Sequence, residues 1–99
     1  MAKYRLTNKA VNDLADIWNY TCNEWSEQQA DDYYAMLIAA CQKLAQQPEL
    51  FGRKYEEIAV GLRGFKAHRH IIFYRITKNY VEIVRILHGS MDLENRVRD

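Results

Sequence analysis

Seven side chains in the second half of the chain are of the types that acid–base chemistry at a phosphate requires: Arg63, His68, Arg69, His70, Arg75, Arg85 and His88. Imidazoles pass protons near neutral pH, and guanidiniums hold anionic oxygens. Such a reaction needs a base, an acid and cations converging on one point. Their spacing argues against convergence. Residues 65–76 (FKAHRHIIFYRI) read as one long strand, in which neighbouring side chains face opposite ways. Arg69 then shares a face with Phe65, Ala67, Ile71, Phe73 and Arg75, and His68 and His70 share the other with Lys66, Ile72, Tyr74 and Ile76. Taken alone, His68-Arg69-His70 reads as a solvated strand rim. Arg63, before Gly64, flanks a turn, and His88, ending a strand, reads as a structural residue or an interface contact. Arg85 interrupts an otherwise apolar strand and needs a carboxylate or solvent; Glu57, Glu82 or an acid on a partner would serve.

The two cysteines, Cys22 and Cys41, each fall within a predicted helix with no CxxC pattern and no His or acidic residue at ligand spacing. They are expected to be free, buried or half-buried thiols in a reducing cytoplasm, with no metal and no cofactor.

The elements that must position these residues follow from the hydrophobic pattern, which changes near Pro48. Residues 3–6 alternate as a short strand, and Thr7 is placed to cap a helix. Ala10, Leu14, Ile17, Trp18 and Thr21 recur at helical spacing, and this helix should end near residues 23–25. Ser26-Glu27-Gln28-Gln29 is a capping box that restarts a helix at once. Ala30, Tyr33, Tyr34, Leu37, Ile38, Cys41, Leu44 and Ala45 carry it to about Gln47, where Pro48 stops it. So short a joint makes an antiparallel helical hairpin, with Trp18, Tyr33 and Tyr34 as packing residues. After a loop at residues 49–54, Ile58, Val60 and Leu62 alternate in a strand ending at Arg63-Gly64. Residues 65–76 form the longest strand, 77–80 a hairpin turn, and 81–88 the return.

The predicted architecture is a single α+β domain over residues 1–99, with order β-α-α-β-β-β and the hairpin packed on a small antiparallel sheet. Ile71-Ile72-Phe73-Tyr74 and the strand around Arg85 are apolar on both faces, yet two helices cover only one. The tail after residue 88, a second subunit or a partner must cover the other, so a binding surface is expected. The tail itself is short and basic enough to be disordered. A net charge of +1 gives no global attraction to nucleic acid, and no stretch resembles a membrane span or signal peptide.

From end to end the chain resembles the ParE branch of the RelE/ParE toxin superfamily. The residues that carry the likeness begin with Tyr4-Arg5-Leu6-Thr7, Ala10, Asp13-Leu14 and Ile17-Trp18-Asn19-Tyr20. They continue through Ala30, Tyr34, Leu44-Ala45, Pro48 and Gly61-Leu62-Arg63. His70-Ile71-Ile72-Phe73-Tyr74-Arg75, Ile86-Leu87-His88 and Met91-Asp92 complete them. The family commonly has arginine before Met-Asp; Ser90 stands there, a departure that bears on the strength of toxicity.

The resemblance implies a toxin that inhibits DNA gyrase without being an enzyme and is neutralised by a ParD-like antitoxin. Nucleic acid would be met only through gyrase or the antitoxin complex. The antitoxin's segment is expected to fold onto the hairpin and the open sheet, with Trp18, Tyr34 and Phe73 as apolar anchors. Arg63, Arg69, Arg75 and Arg85 would pair with its acids. Gyrase contact is expected from Arg85, His88, Met91, Asp92, Arg96 and Arg98. The alternative is the RelE branch, which cuts messenger RNA on the ribosome. Its arginine three residues before the strand tyrosine corresponds to Ile71, and nothing aromatic follows Tyr80 to serve as a C-terminal acid. A degenerate member that binds antitoxin without toxicity is a third reading.

Overall fold

The computed structural model describes residues 3–98. Strand β1 (Tyr4–Leu6) leads into helix α1 (Asn8–Glu24), and after Trp25 and Ser26 the chain re-enters helix as α2 (Glu27–Gln46). Both starts are capped as the sequence expects. The Thr7 hydroxyl accepts the Ala10 N–H and the Ser26 hydroxyl accepts the Gln29 N–H, each at 3.1 Å, contacts typically worth about 1 kcal/mol apiece. Pro48 ends α2 but also opens a further turn of helix, α3 (Pro48–Phe51). A proline needs no amide hydrogen at the first helical position, so one residue serves both roles.

The sheet runs β1-β5-β4-β3-β2, with β2 at Arg53–Lys54, β3 at Arg63–Ala67, β4 at His70–Ile76 and β5 at Val81–His88. It is mixed rather than wholly antiparallel, because β1 runs parallel to β5. Two expected strands are corrected. Residues 65–76 are not continuous: the chain reverses at His68-Arg69, so that Ala67 pairs with His70 and Phe65 with Ile72. His68 takes φ 55°, a left-handed conformation for which histidine is among the more tolerant residues. The alternation of Ile58, Val60 and Leu62 belongs to a run of turns. Ile58 and Leu62 are buried, whereas Val60 is 85% exposed.

On the helical side of the sheet, Leu14, Leu37, Cys41 and Leu44 pack against Ile72, Tyr74, Ile83 and Ile86. The opposite face carries Ile71, Phe73 and Leu87 and is closed by Ile58, Leu62 and Tyr55. A last helix, α4 (Leu93–Arg98), adds Leu93 and Val97 to that cover. The tail therefore folds back over the sheet, and the open sheet surface expected for a partner is filled from within the chain.

One irregularity positions much of this. Phe73 pairs with Arg85 but Tyr74 with Ile83, leaving Val84 as an extra residue in β5. β1 stops at Leu6, so beyond Ile83 the outer edge of β5 has no strand beside it. Helix α1 takes over: the Thr7 hydroxyl donates to the Val84 carbonyl at 2.8 Å, and the Asp13 carboxylate accepts the Ile86 N–H at 2.9 Å.

Candidate interaction groove

The α1–α2 hairpin diverges from the sheet at the β3–β4 turn, leaving a groove of about 1060 Å³. Asp16, Ile17, Tyr20 and Trp25 line it from the first helix and the joint, Asp32, Tyr33 and Met36 from the second. His68, Arg69, His70, His88, Ser90 and Met91 line it from the sheet side. All three histidines of the chain thus meet in one place. The turn at His68-Arg69 is what brings this about. Arg69 and His70, expected to point apart along one strand, instead line the same groove.

The polar groups form a chain. Tyr33 Oη lies 2.7 Å from His70 Nδ1. The His70 ring stands edge-on to His88, with centroids 5.3 Å apart. His88 Nδ1 in turn accepts the Ser90 N–H at 3.1 Å and lies 2.7 Å from the Ser90 hydroxyl. Burial, and then the neighbouring His88, push His70 down to about 4, so it is neutral at physiological pH. Burial raises Tyr33 above its ordinary value, opposed by the backbone N–H and the charge of Arg69, so the phenol keeps its proton. Tyr20 and Trp25 are each about two-thirds exposed and Met91 is 40% exposed, which gives the groove an apolar mouth. Among the described residues no cluster of three or more His, Cys, Asp or Glu is arranged to hold a metal ion.

The remaining expected site residues fall elsewhere, and two are corrections. Phe73 is fully buried beneath Ile58 and Leu62, edge-on to Tyr55, so its ring is a core contact and not an exposed anchor. Arg85 is expected at both binding surfaces, yet its guanidinium is bound within the chain. It donates to both Asp13 oxygens, at 2.8 and 3.0 Å, and to the Arg96 carbonyl, with little of either charged side chain exposed. The carboxylate that holds it is Asp13, where Glu57 or Glu82 was expected.

Arg63 donates to the carbonyls of Glu49 and Gly52 and to the Tyr74 hydroxyl, tying α3 to the sheet. The Trp18 indole donates to Asp31 and links the two helices. Tyr34 is 41% exposed on α2, outside the groove. Arg75 pairs in register with Glu82. Asp92 starts α4: its carbonyl accepts the Arg96 N–H and its carboxylate accepts from Asn95. Arg98 donates to the Ile58 carbonyl and lies 3.7 Å from Glu94. Of the expected site residues, then, the groove gathers Arg69, His88 and Met91. Sequence reasoning missed Tyr33, whose spacing is that of a packing residue, and Tyr20 and Trp25, which fall outside the apolar face of the first helix. Only the polar run His68-Arg69-His70, inside an apolar stretch, signalled the turn that assembles the groove.

The chain is thus an α+β protein in which a helical hairpin packs on a mixed five-stranded sheet. The sequence model of the family described as "ParE toxin of type II toxin-antitoxin system, parDE" matches residues 4–93. The chain is 39% identical to Toxin ParE1 of Caulobacter vibrioides, over 93% of this chain and 94% of that one. It is 34% identical to Toxin ParE1 of Mycobacterium tuberculosis, over 97% and 98% of the two chains. Among solved structures it matches one described as "Chromosomal ParDE TA system from P. aeruginosa", with a TM-score of 0.78 and 22% identity. That match covers 89% of this chain and 96% of the other. The chain belongs to the ParE toxin family of type II toxin–antitoxin systems.

Proposed function

We propose that this protein arrests growth by inhibiting DNA gyrase as a non-enzymatic binder, and that a ParD-like antitoxin holds it inactive. The family match across residues 4–93 carries the reading. The engagement of two of the candidate cations supports it against RNA cleavage. Arg85 is committed to Asp13 and to the end of α4, and Arg63 to backbone carbonyls. Neither is placed to clamp a scissile phosphate. No aromatic residue follows Tyr80 as a C-terminal acid.

The antitoxin's segment orders onto the hairpin and into the groove, where the apolar mouth of Tyr20, Trp25 and Met91 buries its side chains. The target surface lies at the end of β5 and beyond, including His88 and Met91. Expression in a sensitive bacterium, with and without a ParD-type antitoxin, tests both halves. Growth arrest relieved by the antitoxin is expected. Arrest that the antitoxin fails to relieve removes the partner, and absence of arrest removes the toxin.

A further inference from the structure

We propose that Asp13 and Arg85 are positioning residues for gyrase contact: Asp13 on α1 aims the Arg85 guanidinium, which caps α4 and fixes the direction in which that helix presents its side chains. The link to gyrase rests on the function proposed above; the clamp itself rests on the geometry.

Helix α4 cannot hold its place alone. It has six residues, none of them buried, whereas an isolated helix shorter than about 12–15 residues is marginal in water. Leu93 and Val97, half-buried, rest on the cluster around Ile58 and Phe73. Apolar contact of this kind is non-directional, so it attaches the helix without aiming it. The polar ties differ in what they can fix. The Glu94–Arg98 pair, 3.7 Å apart and more than half exposed on both sides, lies within the helix and orients nothing outside it. Arg98 also reaches the Ile58 carbonyl at 3.2 Å, from a side chain that is itself 57% exposed. Arg85 is held differently. Its guanidinium donates to the Arg96 carbonyl through one nitrogen, and Asp13 holds the other two at 2.8 and 3.0 Å.

Arg96 lies in the last turn of α4, where helix carbonyls have no intrahelical partner, and an arginine that bonds one of them caps the helix. A planar guanidinium engaged at all three nitrogens has a single orientation. The Asp13 carboxylate is fixed in turn, because it also accepts the Ile86 N–H at 2.9 Å and is only 9% exposed. Position is therefore passed from α1 through one rigid group to the far end of the chain. A buried ion pair adds little net stability over apolar packing, but its bond directions are demanding. Glu94, Asn95 and Arg96 are exposed on α4, so the direction of this helix decides what a target meets.

Two substitutions in the full chain separate the clamp from ordinary stability. Asp13→Asn keeps an acceptor for the Ile86 N–H but removes the charge that aims Arg85. Arg85→Lys keeps a cation for Asp13 but lacks the fork that reaches the Arg96 carbonyl as well. Each is measured where urea unfolding shows it fully folded, and Arg85→Lys carries the test if Asp13→Asn does not fold. Nuclear magnetic resonance of the Leu93 and Val97 methyl groups reads whether α4 is docked. Cleaved DNA against toxin concentration reads the gyrase contact, and antitoxin affinity reads the rest of the fold. Both variants should shift the two methyl signals toward their values in the unfolded chain. If α4 then holds its place about a tenth of the time, about tenfold more toxin is needed for the same cleaved DNA. Antitoxin affinity should stay unchanged. Unshifted methyl signals in Arg85→Lys overturn the clamp. Shifted signals with unchanged cleavage overturn the link to the target. A parallel loss of antitoxin affinity overturns positioning, because general loosening then accounts for all three readings. If the unsubstituted chain traps no cleaved DNA, the proposed function fails instead, and the methyl signals still decide the clamp.

Discussion

The Asp13 carboxylate holds the Arg85 guanidinium through two hydrogen bonds, at 2.8 and 3.0 Å, and at the same time accepts the Ile86 N–H. One side chain of α1 thus supports the bulge of β5 on its backbone and on its charge. Arg85 passes the connection on to the Arg96 carbonyl of α4. The first helix, the last strand and the last helix are joined through this pair. Removing one partner of a mostly buried pair typically costs about 3–5 kcal/mol. We expect Asp13→Ala to lose roughly 3 kcal/mol of stability in urea unfolding and to loosen α4. Asp13→Asn, which can still accept the Ile86 N–H, should lose less. A loss below about 1 kcal/mol for the alanine variant would show that the pair is replaceable by solvent.

Tyr74 sets a second expectation. Its hydroxyl donates to the Pro48 carbonyl and accepts from Arg63 Nε. Its ring lies so close to Gly52 that a Cβ there would sit 2.2 Å from the hydroxyl and 2.8 Å from two ring carbons. Gly52→Ala should destabilise by about 1–3 kcal/mol through overpacking, and Tyr74→Phe by about 1 kcal/mol through the lost hydrogen bonds. The double variant should cost less than the sum, because the hydroxyl is the nearest obstacle. Thermal unfolding of the three variants provides the comparison, and strict additivity would contradict the contact.

The expectations that held rest on local chemistry: hydroxyls at Thr7 and Ser26 that cap their own helices, a proline that cannot continue one, and a polar turn between two apolar runs. The features that escaped the sequence depend on contacts made far away. Ile58, Val60 and Leu62 alternate like a strand, but residues four apart along a turn can reach one core as well, and only the Phe73 face decides between them. The reversal at His68-Arg69 lacks the usual glycine or proline, so a two-stranded arrangement was hidden inside one apparent strand. The acid that pairs with Arg85 lies 72 positions away, on a helix where an aspartate reads as solvent-facing. For the candidate site, Arg69 and His88 stood out by residue type but read as a strand rim and a strand end, and Met91 entered only through the family resemblance. Tyr33 did not stand out, because a tyrosine at helical spacing looks the same whether it packs or orients a histidine.

His70 gives the protein a pH dependence with a defined sign. Its folded value lies near 4, below the ordinary 6.5, through burial and His88, with Asp13 acting in the opposite direction. Between those values the unfolded chain binds a proton that the folded chain does not, so stability rises with pH across that window. The contribution is full above about 6.5 and is lost as pH falls toward 4. Urea unfolding at several pH values should show this slope, and His70→Gln should flatten it. An equal slope in the variant would assign it to other groups.

The two thiols should differ in reactivity. Burial pushes Cys41 up to about 12, and its side chain is sealed in the helical side of the core. Cys22 is only half-buried on α1. A thiol-specific reagent should label Cys22 in the folded protein and both cysteines after unfolding. Rapid labelling of Cys41 under native conditions would contradict the packing of α2 against the sheet.

The central claim is tested most directly by incubating the purified protein with DNA gyrase and supercoilable plasmid and measuring cleaved DNA held covalently by the enzyme. We expect cleaved complexes to accumulate with toxin concentration, and to disappear when a ParD-type antitoxin is added first. Unimpaired supercoiling with no cleaved complexes, together with codon-positioned cuts in messenger RNA on ribosomes, would contradict the account and make the protein a nuclease.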